Sequence, residues 1–540
     1  MNNFADSNIY CIFAKLKYEY SIIMEQKMRR YPIGIQTFSE IVTDNYMYVD
    51  KTKYVYDISR YKYVFLSRPR RFGKSLLTTT LESYFLARKE LFKGLAVDGL
   101  ETEWKKYPVL HFDMSWAKLG TIEDISAMID YQLAKYEKTY DIPKSSDNFG
   151  TRLTNLIVGC AQKYGVKTVV LIDEYDSQLL NVIDQPEKLD TVRNFIRSFY
   201  SPLKACDEYL RFVFITGITK FSQLSIFSEL NNLKNISMMP EYSAICGISQ
   251  TEIEQNLMDD VGAMGDKMKI SADKALALLK RTYDGYHFSD NAEDIYNPFS
   301  LINALNDRRI NNYWFATGTP TFLVKLLKKF GMDLTMIDNA EATSSEFDAP
   351  TEGMTSILPI LYQSGYITIK DYDSISDLYI LGLPNKEVAY GLMHALIPFY
   401  VSPDTLTTSN TMTKMYTDLL QGDMDSALNR LKVFMAGLPY DLENKTEKHF
   451  QTIIFVIFKM MTKFVDVEIR TATGRIDMVL MTTTCIYVME FKLDKSPEEA
   501  LTQIDTKDYL VAYTLDERRK VKVGINFSSD TRTLDSWIIE

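Results

Sequence analysis

A chain of 540 residues, 46% hydrophobic, 24% charged and 13% aromatic, holds apolar material for three or four globular units and is too rich in rings for long disorder. Its net charge of −10 weighs against a protein that coats nucleic acid non-specifically, because that affinity comes from phosphate neutralisation, but leaves room for one local basic groove. Five scattered cysteines with no C-x-x-C pair, and only four histidines, argue against a structural zinc site and for a reducing, cytoplasmic setting.

Residues 1–30 have no basic start before their apolar part, which Lys15 and Lys17 interrupt, so they make a poor signal peptide. They read as an N-terminal extension, with Met24 or Met28 as alternative starts. From residue 31 to 245, short apolar runs at 61–67, 108–115, 167–175 and 210–218 alternate with helical segments at 75–87, 121–139, 151–164 and 187–206. Continuous apolar strands between helices predict a parallel sheet covered on both faces. Residues 246–330 turn helical and form a lid-like unit. In the unit 331–438, residues 351–388 read as a helix and two strands around a polar turn, the shape of a winged helix, and 415–437 is helical again. "AGLPYDLENKTE" supplies a linker. The last unit, 439–540, reads as a helix at 445–461, strands at 464–470, 475–481 and 485–491, and a helix at 496–511. The longest apolar run, 452–461, is too short for a bilayer and contains Lys459, so no membrane association is expected.

Where the first strand gives way to a helix stands "RPRRFGKSL", residues 68–76. Loop and first-turn N–H groups there would face phosphates, with Lys74 reaching the β/γ-phosphates and the Ser75 hydroxyl binding Mg²⁺. Gly73 allows the close backbone approach. Arg68 occupies a position where the usual P-loop has glycine, and Arg68, Arg70 and Arg71 add positive charge beside the phosphates in a stretch without acids. A solvated basic loop is the bland alternative. "VVLIDEYD" ends an apolar strand in Asp173 and Glu174, the first placed to hold Mg²⁺ and the second to orient or deprotonate water. Thr216, ending the strand in "FVFITGITKFS", either senses the γ-phosphate or caps the strand.

Near the C-terminus, "GRIDMVL" puts Asp477 on one strand and "IYVMEFKL" puts Glu490 and Lys492 on the next. Residues two apart leave the same sheet face, so the three side chains can meet. Two carboxylates suit Mg²⁺ or Mn²⁺, and a lysine beside them can orient a nucleophilic water. A plain Glu490–Lys492 ion pair is the alternative.

"YPIGIQTFSEIVTDNYMYVDKT", "RPRRFGKSL", "LIDEYD", "TGITKFS", "YDGYHF" and "LPNKEV" together resemble the predicted AAA-ATPase-like family that carries a C-terminal PD-(D/E)XK nuclease-superfamily domain. The resemblance runs from Tyr31 to the end and implies an α/β P-loop domain, a helical lid, a winged-helix-like region and a nuclease-like α/β domain. The Arg-Pro-Arg-Arg-Phe opening is typical of that family. The resemblance implies a nucleotide site spanning Arg70, Arg71, Phe72, Gly73, Lys74, Ser75 and Leu76, with Asp173 and Thr216, and ATP and Mg²⁺ as cofactors. In the nuclease motif, Glu447 matches a further metal ligand and Gln503 an accessory residue; Tyr509 also matches, without a clear role. Asp50 and Lys51 are better read as structural, and His287 as a packed or capping histidine in preference to a nucleotide sensor.

The expected function is ATP hydrolysis, with Glu174 handling the attacking water, that controls metal-dependent cleavage of nucleic acid, with DNA preferred to RNA, by Asp477, Glu490 and Lys492. The alternative is an ATP-operated switch or scaffold whose nuclease-like fold binds a partner or nucleic acid without cutting. Acidic residues outnumber basic ones over 494–517, which favours the second reading. An arginine finger from a neighbour would imply a homo-oligomer. Arg193 and Arg197 lie on a suitable helix, but the sequence assigns no single arginine.

Overall fold

The computed structural model describes residues 30–540 except 119, 221–232, 315–322, 324–325, 328–329, 331–336, 351–354, 401–404, 437–446, 462–467, 471–476, 483 and 532. The N-terminal extension up to residue 29 and the linker over 437–446 therefore lie outside the described residues, as do the side chains that open the helix at Glu447.

Five parallel strands form the first sheet: β1 (Tyr63–Ser67), β2 (Val109–Asp113), β3 (Thr168–Asp173), β4 (Leu210–Gly217) and β5 (Lys234–Asn235), in the order β2-β3-β4-β1-β5. The apolar runs are continuous because both faces are covered. Val64 and Leu66, Val169 and Leu171, and Phe212 and Phe214 enter one core. Their chain neighbours Phe65, Val170, Ile172, Val213 and Ile215 enter another. The period of two divides each strand between the two cores. Helices α1 (Lys74–Phe85), α2 (Ile122–Tyr140), α3 (Phe149–Tyr164) and α4 (Pro186–Tyr200) connect the strands. The segment expected as one helix over 187–206 breaks at Pro202, which starts a separate turn, Pro202–Ala205. The two-residue β5 was too short to be read from its pattern.

After β6 (Ile248–Ser249), the chain forms α5 (Ala272–Tyr283), and β7 (Ile295–Tyr296) returns to pair with β6. A second, antiparallel sheet of order β8-β10-β9 follows, from β8 (Ala340–Ala342), β9 (Thr368–Asp373) and β10 (Leu378–Gly382), with α6 (Leu358–Gln363) beside it. Beyond α7 (Lys386–Tyr400), the expected helix over 415–437 is two helices, α8 (Thr405–Leu420) and α9 (Met424–Ala436). Gly422 between them has φ +77°, which turns the chain out of the helix.

The last unit holds α10 (Glu447–Met461), β11 (Glu468–Arg470), β12 (Met478–Met481), β13 (Cys485–Leu493), α11 (Pro497–Thr506), β14 (Arg519–Ser528) and β15 (Thr533–Ile539). Its sheet runs β11-β12-β13-β14-β15 and is antiparallel except where β14 lies parallel to β13. Strands β14 and β15 escape a reading that ends with the helix at 511. One apolar cluster extends from Phe38 to Leu534, and Trp537 of β15 donates from Nε1 to Asp425 of α9 at 2.8 Å.

Candidate nucleotide and metal sites

The loop between β1 and α1 carries the three arginines, and the fold separates them. Gly73 adopts φ +90° at the start of α1, a conformation open to glycine, while Arg71 is held at φ +66°. Lys74 is 4% exposed, and its Nζ donates to the carbonyls of Arg68 and Pro69, each at 3.1 Å, so the loop folds around the ammonium. Arg68, expected beside the phosphates, faces away from them. Its guanidinium is buried, donates to the Ser237 carbonyl at 2.7 Å and the Tyr242 carbonyl at 3.0 Å, and lies 4.2 Å over the Phe288 ring. It is a structural clamp. Arg71 lies 3.9 Å over the Phe299 ring, and only Arg70 is exposed.

Phe72 is fully buried, edge-on to Tyr286 at 4.7 Å and to Phe288 at 5.4 Å. The "YDGYHF" stretch thus supports the loop from beneath. A methyl group on Gly285 would meet the Pro384 carbonyl at 2.3 Å, and Asn385 donates to the Asp284 carbonyl at 2.8 Å. Hence "LPNKEV" holds "YDGYHF" in place. His287 bonds through its backbone to Thr368 and through Nδ1 to Asp294 at 3.1 Å, a packed histidine. Lys51 pairs with Glu252 at 2.5 Å, and Asp50 accepts from Thr52 and from the Ala96 N–H.

At the C-terminal ends of β1 and β3, the Ser75 side chain lies close to the Asp173 carboxylate. Burial pushes the Asp173 carboxyl up, opposed by Ser75 and by the charge of Lys74. Burial also raises Glu174, again opposed by Lys74. Glu174 sits at φ +50°, a strained conformation for a side-chain-bearing residue, locked by the Tyr175 N–H donating to the Thr216 carbonyl at 3.1 Å. The hard oxygens of Ser75 and Asp173 fit Mg²⁺, whose charge would offset the cost of burying Asp173. Thr216 is placed differently from its sensor reading: it is fully buried, and its hydroxyl donates to the Leu66 carbonyl at 2.8 Å inside the sheet.

Sequence reasoning passed over Asp176. Its carboxylate is buried and accepts from the N–H groups of Ile218 and Thr219 and from the Thr219 hydroxyl, tying "LIDEYD" to "TGITKFS". The third acid in the motif was the available signal. Asp113, at the end of β2, also bears on Asp173 electrostatically.

In the C-terminal unit, Asp477 Oδ2 accepts from the Phe491 N–H at 2.8 Å, which registers the carboxylate beside β13. Lys492 Nζ lies 3.1 Å from Glu490 Oε1 and donates to Gln503 Oε1 at 2.8 Å. Gln503 in turn reaches the Tyr509 hydroxyl at 3.4 Å, so Tyr509 props the glutamine. Glu490 is 2% exposed, its Oε2 buried without a hydrogen-bond partner among the described residues. Burial first, and the nearby Asp477 carboxylate second, push Glu490 up to about 7, against the pull of Lys492. An orphaned buried oxygen facing a second carboxylate fits a divalent cation. Among the described residues no cluster of three or more His, Cys, Asp or Glu forms a metal site. The expected third ligand, Glu447, has its side chain outside the described residues.

Residues 32–227 match the family described as predicted AAA-ATPase, and residues 445–537 match the PD-(D/E)XK nuclease superfamily. The chain is 32% identical over 523 residues to an uncharacterized protein encoded in the vnfD 5' region of Azotobacter chroococcum mcd 1, covering 95% of this chain and 99% of that one. With both motif sets assembled in space, the chain belongs to this predicted AAA-ATPase family with a C-terminal PD-(D/E)XK nuclease-superfamily domain.

Proposed function

We propose that this protein binds and hydrolyses ATP and thereby controls a metal-dependent phosphodiesterase acting on nucleic acid, DNA before RNA. The observation that carries the ATP reading is the meeting of Lys74, Ser75, Asp173 and Glu174 at the C-terminal ends of β1 and β3. A pocket of about 570 Å³, its open mouth included, adjoins Gly73 and is lined by Val49, Phe72, Leu76, Cys246 and Ile302. Its largely apolar lining suits a purine base.

Lys74 would release the Arg68 and Pro69 carbonyls to bind phosphate. Glu174, its pKa raised by burial, is poised to accept a proton from the attacking water. In the C-terminal site, Lys492 orients the attacking water while Gln503 holds the ammonium in place. Bound Mg²⁺ or Mn²⁺ would supply Lewis-acid polarisation of phosphoryl oxygens at both sites.

The test is a cleavage assay on plasmid, linear and single-stranded DNA and on RNA, with Mg²⁺ or Mn²⁺ and with or without ATP. Cleavage abolished by Lys492→Ala and altered by Lys74→Ala or by ATP supports the reading. ATP turnover without cleavage under any condition leaves the second reading, a nucleotide-operated switch that binds nucleic acid or a partner. The acidic surface over 494–517 favours that one.

A further inference from the structure

The three loop arginines have different fates, and only one remains uncommitted. Arg68 is caged by main-chain carbonyls, and Arg71 is stacked on Phe299 within reach of the buried Glu387 carboxylate. Arg70 is exposed, and among the described residues its guanidinium makes no hydrogen bond or ion pair. Its backbone is fixed, because the Trp314 indole N–H donates to the Arg70 carbonyl at 3.3 Å. Its charge lies within electrostatic reach of Glu174 and of Arg71. Arg70, Arg71 and Lys74 thus crowd three cations around one short loop. The Asp173, Glu174 and Glu387 carboxylates already face these cations, and of the three Arg70 alone is exposed to a further anion.

We propose that Arg70 is a cis-acting cation that contacts the γ-phosphate of bound ATP and stabilises its transfer to water. The proposal rests on the nucleotide reading above. Charge builds on the equatorial oxygens of the transferring phosphoryl group, and an arginine aimed there is worth orders of magnitude in rate. Many NTPases recruit that arginine from a neighbour. Here the loop carries it beside the lysine and next to the carboxylate that handles water, so turnover does not require a second copy. A guanidinium also offers a planar fork to two phosphoryl oxygens, which an ammonium does not.

The experiment uses the full chain and its Arg70→Ala and Arg70→Lys variants. It measures ADP and AMP-PNP affinities, then kcat and KM for ATP over a range of protein concentrations. Arg70→Ala should weaken AMP-PNP binding by about tenfold while leaving ADP binding within about twofold. It should lower kcat on the order of 100-fold, with Arg70→Lys in between. Wild-type turnover per chain should not depend on protein concentration. Equal losses for ADP and AMP-PNP, no loss for either, or wild-type turnover that rises with concentration would overturn the proposal alone. A wild-type chain that binds neither nucleotide overturns the nucleotide reading itself and the proposal with it.

Discussion

The ammonium of Lys74 donates to the carbonyl of Arg68 at 3.1 Å, while the guanidinium of Arg68 turns away from the loop into a cage of carbonyls around Ser237 and Tyr242. One residue thus offers its main chain to the loop lysine and its side chain to the core. The arginine that replaces the usual first glycine is a structural anchor whose charge is spent on main-chain carbonyls and the Phe288 ring.

Arg68→Ala is therefore expected to act on stability. Removing a buried guanidinium strands the carbonyls it satisfies, at a cost of about 3 kcal/mol or more. Arg70→Ala, at an exposed position, should change stability by less than about 0.5 kcal/mol. Urea unfolding of the two variants beside wild type separates them. Equal stabilities would remove the anchor role.

Gly217 ends β4 against the Asp176 carboxylate. A methyl group there would sit 2.3 Å from Asp176 Oδ1 and 2.7 Å from the Tyr175 ring. Gly217→Ala should destabilise by about 1–3 kcal/mol and depress ATP turnover, because Tyr175 and Asp176 directly follow Glu174. Circular dichroism melts and a phosphate-release assay measure both. A variant with wild-type melting and turnover would show that this approach has slack.

Glu490 and Lys492 should fail differently. Glu490→Gln removes a carboxylate that faces Asp477, so Mn²⁺ should no longer raise the melting temperature, and any cleavage should be lost as it is with chelator. Lys492→Ala leaves both carboxylates, so Mn²⁺ should still protect the fold while cleavage falls on the order of 100-fold. Loss of Mn²⁺ protection in neither variant would place the metal elsewhere.

Glu387 gives a pH signature. It is 1% exposed, and burial raises its carboxyl from 4.5 to about 7, opposed by the Trp314 N–H, which donates to it at 2.8 Å, and by the charge of Arg71. Between those values the unfolded chain loses its proton while the folded chain keeps it, so stability falls as pH rises. The contribution is fully present below about pH 4.5 and gone above about pH 7. Its size is on the order of 3 kcal/mol. Glu387→Gln has no such proton to lose. The stability difference between wild type and variant should therefore move in the variant's favour from pH 5 to 7.5, as read by urea unfolding. A pH-independent difference would mean that Glu387 titrates normally.

How much was legible in the sequence is best seen residue by residue. The strands that carry Ser67, Asp173 and Gly217 announced themselves by continuous apolar runs, because a strand covered on both faces has no polar positions to spare. Lys74 with Ser75, Asp173 with Glu174, and Glu490 with Lys492 were visible because each pair is set by local spacing along one element. Less visible were β5, only two residues long, and the division of the helix expected over 415–437, where a single glycine outweighs the helical pattern.

The sequence by itself determined the α/β class, the two motif sets and the residues that meet within one strand or one turn. Only the tertiary structure decided which of three adjacent arginines is buried, which is stacked and which is exposed. It also decided that Thr216 spends its hydroxyl on Leu66, and that "YDGYHF" and "LPNKEV" converge beneath the phosphate loop. The reason is physical. Local periodicity is written in neighbouring residues, but the burial of a long polar side chain depends on acceptors brought from far along the chain. For Arg68 these are the carbonyls of Ser237 and Tyr242, 169 and 174 positions away.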